Sequence, residues 1–393
     1  MSYNIDDVLD VTIEKMAIGG SGIARHGGLV VFVPDSAPGD KLRVKITTKK
    51  KSFAEAQILE ILNSGPSRRQ PPCPIADRCG GCNWQHLIET EQQNQKQLFV
   101  KETLAKFLPG RTLQFLPIKP SPLSFRYRNR IQPKYHQGQL GFFSRRSHEV
   151  IATNDCLITE EKLTASFETI KETLDQKFLH KNETQRLEIY LDQNETPQWA
   201  LLGEEREGIG FAQVNRFQNE DLIKTVLNWA EDMTYERLFD LYAGGGNFTF
   251  PLANHFKAQN IIAAELDPRL VQKAQEKIQS TNSLQKRVRF YTSDVALFLK
   301  RTELKAKDLV VLDPPRSGAD AFVMKTLAHS PVQKILYISC HPVSLARDLK
   351  YFFEAQEQNS SSKKLTLKRI QCFEMFPQTD HVETIAELAI DTR

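Results

Sequence analysis

Cys340 and Asp313 end two predicted strands of the C-terminal half, in positions where side chains could do chemistry. Cys340 lies in YISCHP, 27 residues after the Asp313 of DPPR. A single cysteine is most often a small, buried apolar residue. Cys340, however, lies at the functional edge of a predicted sheet, which favours a nucleophile. A helix is predicted from Val343, and its N-terminus could lower the pKa of the thiol. Cys372 has no such context, and we predict that it is structural.

A glycine-rich loop and two strand-end carboxylates predict a nucleotide-type binding site. Gly244, Gly245 and Gly246 follow the first predicted strand of this half, in DLYAGGGNF, and let the backbone approach a ligand closely. Glu265 ends the second strand, where an acid can accept both ribose hydroxyls, and Asp294 ends the third, where a carboxylate can accept an adenine amino group. This set alone does not separate a dinucleotide from S-adenosylmethionine. The departure of the loop from G-x-G-x-x-G and the Asp-Pro-Pro after the fourth strand favour S-adenosylmethionine.

Glu383 lies in HVETI, at the start of a predicted last strand. By composition alone it would be a surface carboxylate, but beside a thiol nucleophile and a methyl donor it becomes a candidate general base. Methylation of carbon-5 of uracil needs both groups. A thiolate adds to carbon-6, carbon-5 becomes nucleophilic, and a base removes the carbon-5 proton after methyl transfer. Methylation of a nitrogen needs no thiol, so Cys340 discriminates between the two reactions.

Three of the six cysteines, Cys73, Cys79 and Cys82, lie within ten residues. The acidic N-terminus has no apolar signal core, so we expect a cytoplasmic location, where disulfides are rare. Crowded thiols then indicate a bound metal or an iron–sulfur cluster, and their spacing alone allows zinc.

The elements that must position these groups form three predicted domains. Short strands separated by glycine turns predict a small OB-like β-barrel over residues 1–65. A proline-rich linker opens a central β-rich domain at 66–210, with a helix predicted from Gln85 to Phe107. From 211 to 393, apolar runs alternate with helical segments, which predicts an α/β catalytic domain with a Rossmann-like, doubly wound and mainly parallel sheet.

Composition excludes several classes, and the distribution of charge indicates a partner. With 40% hydrophobic and 25% charged residues, the chain is neither disordered nor a disulfide scaffold. It has no apolar run of about 18 residues, so no membrane partner is expected. Residues 119–148 contain seven Lys or Arg and no acid, with interleaved aromatic residues, and Lys49–Lys51 separate two barrel strands. Such segments suit phosphates and unstacked bases, which predicts RNA as the partner.

Seven motifs occur in one order over nearly the whole chain: CPIADRCGGCNWQH, FAQVN, DLYAGGGNFTFPLA, AAELDP, VVLDPPRSG, YISCHPVSLARDL and HVETI. They resemble the motifs of the S-adenosylmethionine-dependent RNA uracil-5-methyltransferases. The resemblance implies Cys340 as nucleophile and Glu383 as base. It implies a methyl-donor site formed by Gln213, Tyr242, Asn247, Glu265, Asp294 and Asp313, the last also near the uracil. Two residues depart from the family pattern: Ala243 stands where many relatives have cysteine, and His341 where they usually have asparagine.

The resemblance also applies to the N-terminal half of the chain. Residues 1–64 resemble the TRAM domain, an RNA-binding barrel, and together with the cysteines they look most like the branch that methylates a uridine of 23S ribosomal RNA. That branch carries a [4Fe–4S] cluster, whose thiolates Cys73, Cys79, Cys82 and the distant Cys156 match. We expect a structural cluster that ties the two cysteine segments together, and no obligate protein partner. Two alternatives stay open: the same chemistry on a T-loop uridine of transfer RNA, and a non-catalytic RNA-binding iron–sulfur protein.

Overall fold

The computed structural model describes residues 3–192, 194–202, 213–256, 260–358 and 364–390. Within these ranges the chain forms three sheets, of six, six and seven strands. The predicted boundary between residues 210 and 211 lies outside the described ranges, as do the first two residues of FAQVN. None of the helices in the described ranges is both long and apolar enough to cross a bilayer.

The N-terminal sheet closes into a barrel. Its strands are β1 (Val8–Thr12), β2 (Lys15–Met16), β3 (Gly22–His26), β4 (Leu29–Val33), β5 (Lys41–Lys49) and β6 (Phe53–Asn63). Their order is β1-β5-β6-β4-β3-β2, and β1 and β2 belong to one run of chain. That run pairs with β5 at its start and with β3 at its end, so the two edges of the sheet meet. Alternating apolar residues fill the interior.

The central region contains a long helix followed by a small sheet. Its elements are α1 (Glu89–Phe107), β7 (Arg130–Ile131), β8 (Lys134–His136), β9 (Gln139–Phe143), β10 (Val150–Ala152), α2 (Glu161–Thr164), α3 (Phe167–Phe178), β11 (Gln185–Leu191) and β12 (Pro197–Leu201). Helix α1 begins four residues later than predicted, because Leu87 forms a β-bridge with Arg68 and Ile88 is extended. Its residues Val100 and Leu104 pack into the core of the C-terminal domain.

The C-terminal domain has the predicted strand–helix alternation. Its elements are α4 (Arg216–Ala230), β13 (Arg237–Leu241), α5 (Thr249–His255), β14 (Asn260–Glu265), α6 (Pro268–Gln279), α7 (Asn282–Gln285), β15 (Val288–Thr292), α8 (Val295–Lys300), β16 (Asp308–Leu312), α9 (Ala321–His329), β17 (Lys334–Ser339), α10 (Pro342–Glu357), β18 (Leu365–Phe373) and β19 (Glu383–Ile390). The strand order is β15-β14-β13-β16-β17-β19-β18. The first five strands are parallel and β19 is antiparallel to both neighbours. The predicted Rossmann-like fold class is therefore confirmed.

The order of this sheet positions the site. The chain runs outward from β13 to β15 and then returns to β16 on the other side of β13. This reversal leaves a crevice beyond the carboxyl ends of β13 and β16, where ligands bind in sheets of this kind. Strands β16 and β17 are buried along their whole length, which explains their continuous apolar sequences.

Candidate active site

The glycine loop after β13 is held by Glu265, at the end of β14. One carboxylate oxygen of Glu265 accepts from the Gly244 N–H at 2.9 Å, and the other accepts from the Asp267 N–H at 2.8 Å. Gly244 and Gly246 have φ angles of +56° and +91°, which favour glycine. A Cβ on Gly246 would also lie 2.5 Å from the Phe250 ring. The loop is therefore built for close approach, with a carboxylate beside it at the predicted ribose position.

Of the other predicted donor-site residues, Tyr242, Asn247 and Asp294 lie around the same crevice. Tyr242 follows β13 with a φ of +62° and is half-buried. Asn247 exchanges two side-chain hydrogen bonds with Asn219 of α4, at 2.8 and 3.1 Å. Asp294 is exposed and caps α8, with one oxygen accepting from the Leu297 N–H at 3.1 Å. Gln213 is half-buried shortly before α4. Nothing in the local sequence singles out Asn219 as the partner of the loop.

Three carboxyl groups lie beneath the crevice, and the charge of each raises the pKa of the next: Asp240, Asp313 and Glu383. Burial raises the pKa of Asp240 to about 7, although the Thr249 hydroxyl donates to it at 2.5 Å. Its second oxygen has no hydrogen-bond partner among the described residues. Burial, and then the charge of Asp240, raise the pKa of Asp313 to about 7. Asp240 was not among the predicted site residues, although an acid within the apolar run RLFDLY was a usable signal.

Strand pairing brings the predicted nucleophile and base together. Ser339 of β17 is the antiparallel partner of Thr384 of β19. The next residues outward are Cys340 and Glu383, which therefore face each other at the ends of the two strands. Glu383 is buried, and burial followed by the charge of Asp313 raises its pKa well above the usual range.

The thiol pKa differs from the expectation. Helix α10 begins at Pro342, two residues after Cys340, so the N-terminus of the helix lies where it could stabilise a thiolate. However, burial, together with the charges of Glu383 and Asp313, raises the pKa of Cys340 to about 12. The predicted lowering is therefore wrong for the free protein, because desolvation and two carboxylates outweigh the helix dipole.

The two departures from the family pattern have simple structural roles. The His341 side chain caps α10: its Nδ1 accepts from the Ser344 N–H at 3.3 Å and lies 2.9 Å from the Ser344 hydroxyl. Ala243 is buried in the core behind the glycine loop. Neither residue removes a group that the predicted chemistry uses.

The four predicted cluster cysteines are Cys73, Cys79, Cys82 and Cys156. They line one cavity of about 250 Å³ between the cysteine arm, which is the segment from Cys73 to Cys82, and the central sheet. In the described part of the chain, no three Cys, His, Asp or Glu side chains are grouped as a single metal ion requires. Burial raises the pKa of Cys82 to about 12 and also raises the pKa values of Cys79 and Cys156. Because burial disfavours the charged thiolates, a bound positively charged centre would be needed to stabilise them. A set of four cysteine ligands suits an iron–sulfur cluster.

The chain is similar to known RNA methyltransferases over nearly its whole length. Residues 204–389 match the tRNA (uracil-5-)-methyltransferase family, and residues 6–59 match the TRAM domain. An uncharacterized RNA methyltransferase of Bdellovibrio bacteriovorus is 53% identical over 98% of this chain and 95% of its own length. The 23S rRNA (uracil(1939)-C(5))-methyltransferase RlmD of Dichelobacter nodosus is 31% identical over 95% of this chain and 97% of its own.

A solved structure has the same fold over nearly the whole chain. The tRNA (uracil-54, C5)-methyltransferase of Pyrococcus abyssi, in complex with S-adenosyl-L-homocysteine, superimposes with a TM-score of 0.73 at 21% identity. The match covers 97% of this chain and 100% of the other. The chain therefore belongs to the RNA (uracil-5-)-methyltransferase family and carries an N-terminal TRAM domain.

Proposed function

We propose that this protein methylates carbon-5 of a uridine in 23S ribosomal RNA, with S-adenosylmethionine as methyl donor, Cys340 as nucleophile and Glu383 as base. The observation that carries the proposal is the register of β17 and β19, which sets the thiol opposite the carboxyl group. Both lie at the carboxyl edge of the sheet, on the same side as the loop that Glu265 holds. A thiol, a carboxyl group and a nucleotide-type loop at one edge are the groups this chemistry needs.

In the proposed reaction, Cys340 acts first and Glu383 last. The Cys340 thiolate adds to carbon-6 of the uracil and makes carbon-5 nucleophilic. S-adenosylmethionine, when bound, would supply the methyl group that carbon-5 takes; the bond between that methyl group and the sulfonium sulfur breaks, and S-adenosyl-L-homocysteine leaves. Glu383 then accepts the carbon-5 proton, the double bond re-forms, and the bond between sulfur and carbon-6 breaks to return the thiolate.

The donor would be held by the residues around the crevice. Glu265 keeps acceptor capacity for the ribose hydroxyls after its two backbone bonds, and exposed Asp294 can accept from the adenine amino group. The exposed side chains of Leu266 and Leu297, each close in sequence to one of these acids, offer apolar surface for the adenine ring.

The choice of ribosomal RNA is supported by relatives over the full chain. Those 28–31% identical to this chain include several named as 23S rRNA methyltransferases, whereas the transfer RNA enzyme matches at 21%. Mapping 5-methyluridine across cellular RNA, with and without the gene, tests the choice. Loss of one site in 23S ribosomal RNA is expected, and loss of the T-loop site in transfer RNA would contradict it.

RNA contacts are proposed for the barrel tip and part of the basic stretch. Lys49–Lys51 form the tip of the β5–β6 hairpin, where Lys50 and Lys51 are exposed. Within residues 119–148, Arg126 is held by Asp155, and Arg145 by Asp35 and three backbone carbonyls. These two arginines are therefore structural, and Arg130 is also paired, with Glu188. We propose phosphate contacts for the remaining basic residues of the stretch.

We also propose that the four cysteines around the 250 Å³ cavity hold a [4Fe–4S] cluster. Such a cluster would join the arm containing Cys73, Cys79 and Cys82 to the segment of Cys156. The arm is already fixed in part by Arg145, which donates to the carbonyls of Ala76, Cys79 and Cys82.

A further inference from the structure

The loop that precedes Glu383 is held by other parts of the chain. It runs from residue 374 to 382, between β18 and β19, and six of its nine residues are buried. Lys96 of α1 donates to the carbonyl of Phe376 at 3.0 Å, and Tyr127 donates to the carbonyl of Pro377 at 3.1 Å. The position of the loop is therefore set from outside the catalytic sheet.

Gln378 is the most connected residue of this loop. It is fully buried and has a left-handed φ of +68°, which costs energy for a residue with a side chain. Its N–H donates to Gln92 at 2.8 Å, and its carbonyl accepts from the Trp84 N–H at 3.1 Å. Both partners belong to the region that joins the barrel to the catalytic domain.

The Gln378 side chain uses both ends of its amide. The oxygen accepts from Arg69 at 2.9 Å and from Gln92 at 3.0 Å. The nitrogen lies 3.2 Å from a Glu89 oxygen and 3.3 Å from the Ser124 carbonyl. One buried amide therefore contacts three segments of the chain: the linker after the barrel, the start of α1 and the segment before Tyr127.

A second contact, two residues nearer to Glu383, reaches the barrel itself. Asp380 accepts from the Gly19 N–H at 2.7 Å and from the Asn83 side chain at 2.9 Å. The Asp380 N–H donates back to Asn83 at 3.2 Å. The loop thus has two anchors within five residues of the carboxyl group.

We propose that Gln378 is a positioning residue for Glu383. The buried amide holds the loop so that the Glu383 carboxylate meets the carbon-5 proton. The inference rests on the proposed role of Glu383. It predicts that loosening Gln378 slows proton removal more than it slows thiol addition or methyl transfer, because a small misplacement of a catalytic group can cost about 100-fold in rate.

Gln378→Asn is the sharpest variant. Asparagine tolerates the left-handed backbone but is one carbon too short to keep all the side-chain partners. Turnover is expected to fall about 10- to 100-fold, while donor affinity stays within about twofold. A methylated covalent complex of enzyme and RNA should accumulate and survive denaturant. The matched control is Gln371→Asn, since Gln371 is buried in β18 and donates one hydrogen bond to Pro117; it should accumulate no such complex.

Two further variants separate the possible failures. If Glu383→Gln accumulates the complex and Gln378→Asn loses turnover without it, the positioning role is overturned and the proposed function stands. If Glu383→Gln accumulates none, the role of Glu383 as base is wrong and the inference falls with it. Should Gln378→Asn not fold, Arg69→Lys replaces it, because lysine keeps the charge beside Glu89 but loses the fork that reaches Gln378. A several-fold loss of turnover with the complex supports the inference, and an unchanged rate overturns it.

Discussion

Ser339 and Thr384 are direct partners across the antiparallel pair β17–β19, although 45 residues separate them in the chain. This single register makes neighbours of Cys340 and Glu383, the last residue before a helix cap and the first residue of a strand. A slip by one residue would send one of the two side chains to the opposite face of the sheet. The catalytic proposal therefore depends on the pairing of an antiparallel strand added to a parallel sheet.

Removing each catalytic group should give a different result. Cys340→Ala should abolish turnover and leave no covalent complex, because nothing adds to carbon-6. Glu383→Gln should allow addition and methyl transfer but block elimination, and should trap a methylated complex on denaturing gels. The double variant is the control and should trap nothing. Full turnover by Glu383→Gln would show that another group accepts the proton.

The elimination step should become faster as pH rises. Burial raises the pKa of Glu383 well above its usual range, which favours the protonated carboxyl group, and a carboxyl group that holds a proton cannot accept one. Raising the pH removes that proton and also favours the thiolate of Cys340, whose pKa is about 12. Single-turnover rates measured from about pH 6 to pH 9 check this. Glu383→Gln should lose the part of the pH dependence that the Glu383 carboxyl group contributes. A rate that falls over this range would contradict the assignment.

The raised pKa values of two other carboxyl groups predict how stability changes with pH. The raised pKa values of Asp240 and Asp313, both about 7, mean that the folded protein binds protons more tightly than the unfolded chain does. Stability should therefore decrease as the pH rises from about 4 through 7. Asp240→Asn keeps an oxygen for Thr249 and removes one of these groups, so its denaturant midpoint should fall less over that range. An identical pH dependence in both proteins would show that Asp240 is ionised at neutral pH.

Glu265→Ala should weaken binding of S-adenosylmethionine. The substitution removes a charged acceptor and frees the Gly244 and Asp267 N–H groups, so we expect a loss of about 1–3 kcal/mol in binding free energy. Calorimetry measures the change. Glu276→Ala, an exposed acid on α6, is the control and should bind as the natural protein does. Equal donor affinity in both variants would exclude Glu265 from the donor site.

Neutralising Lys49–Lys51 to glutamine should weaken RNA binding and reduce its salt dependence. For single-stranded RNA, the slope of log affinity against log salt should decrease by about 0.7 for each phosphate that the lysines no longer neutralise. Lys305 and Lys307 precede β16, at the edge of the sheet opposite the active site, and their neutralisation is the control. An unchanged slope in the barrel variant would assign the hairpin tip another role.

Protein purified without oxygen should be brown and contain about four iron and four sulfide per chain, as a cubane held by four thiolates requires. Cys79→Ser should lose the visible absorption of the cluster and unfold more easily. Cys372→Ser, which changes a buried cysteine in β18, is the control and should keep that absorption. Stoichiometric zinc without sulfide would replace the cluster with a single-ion site.

Much of the architecture followed from local sequence. The apolar runs of β13, β14, β15, β16 and β17 and the helices between them were predictable because periodicity and glycine turns are encoded within about ten residues. The strand-end positions of Cys340, Glu265 and Asp313 followed as well, since a strand end is a local property. Alternating short strands also predicted the barrel.

Tertiary structure decided what surrounds each of these groups. The thiol of Cys340 has a raised pKa, not a lowered one, because Glu383 and Asp313 come from other strands. Gln92 and Gln378 bond to each other across 286 residues, a contact that no local pattern encodes. Sequence thus determined the elements, the order of the chemistry-bearing residues and the family. Burial and long-range pairing determined the protonation and placement of those residues, because desolvation and hydrogen bonding depend on which distant groups the fold brings together.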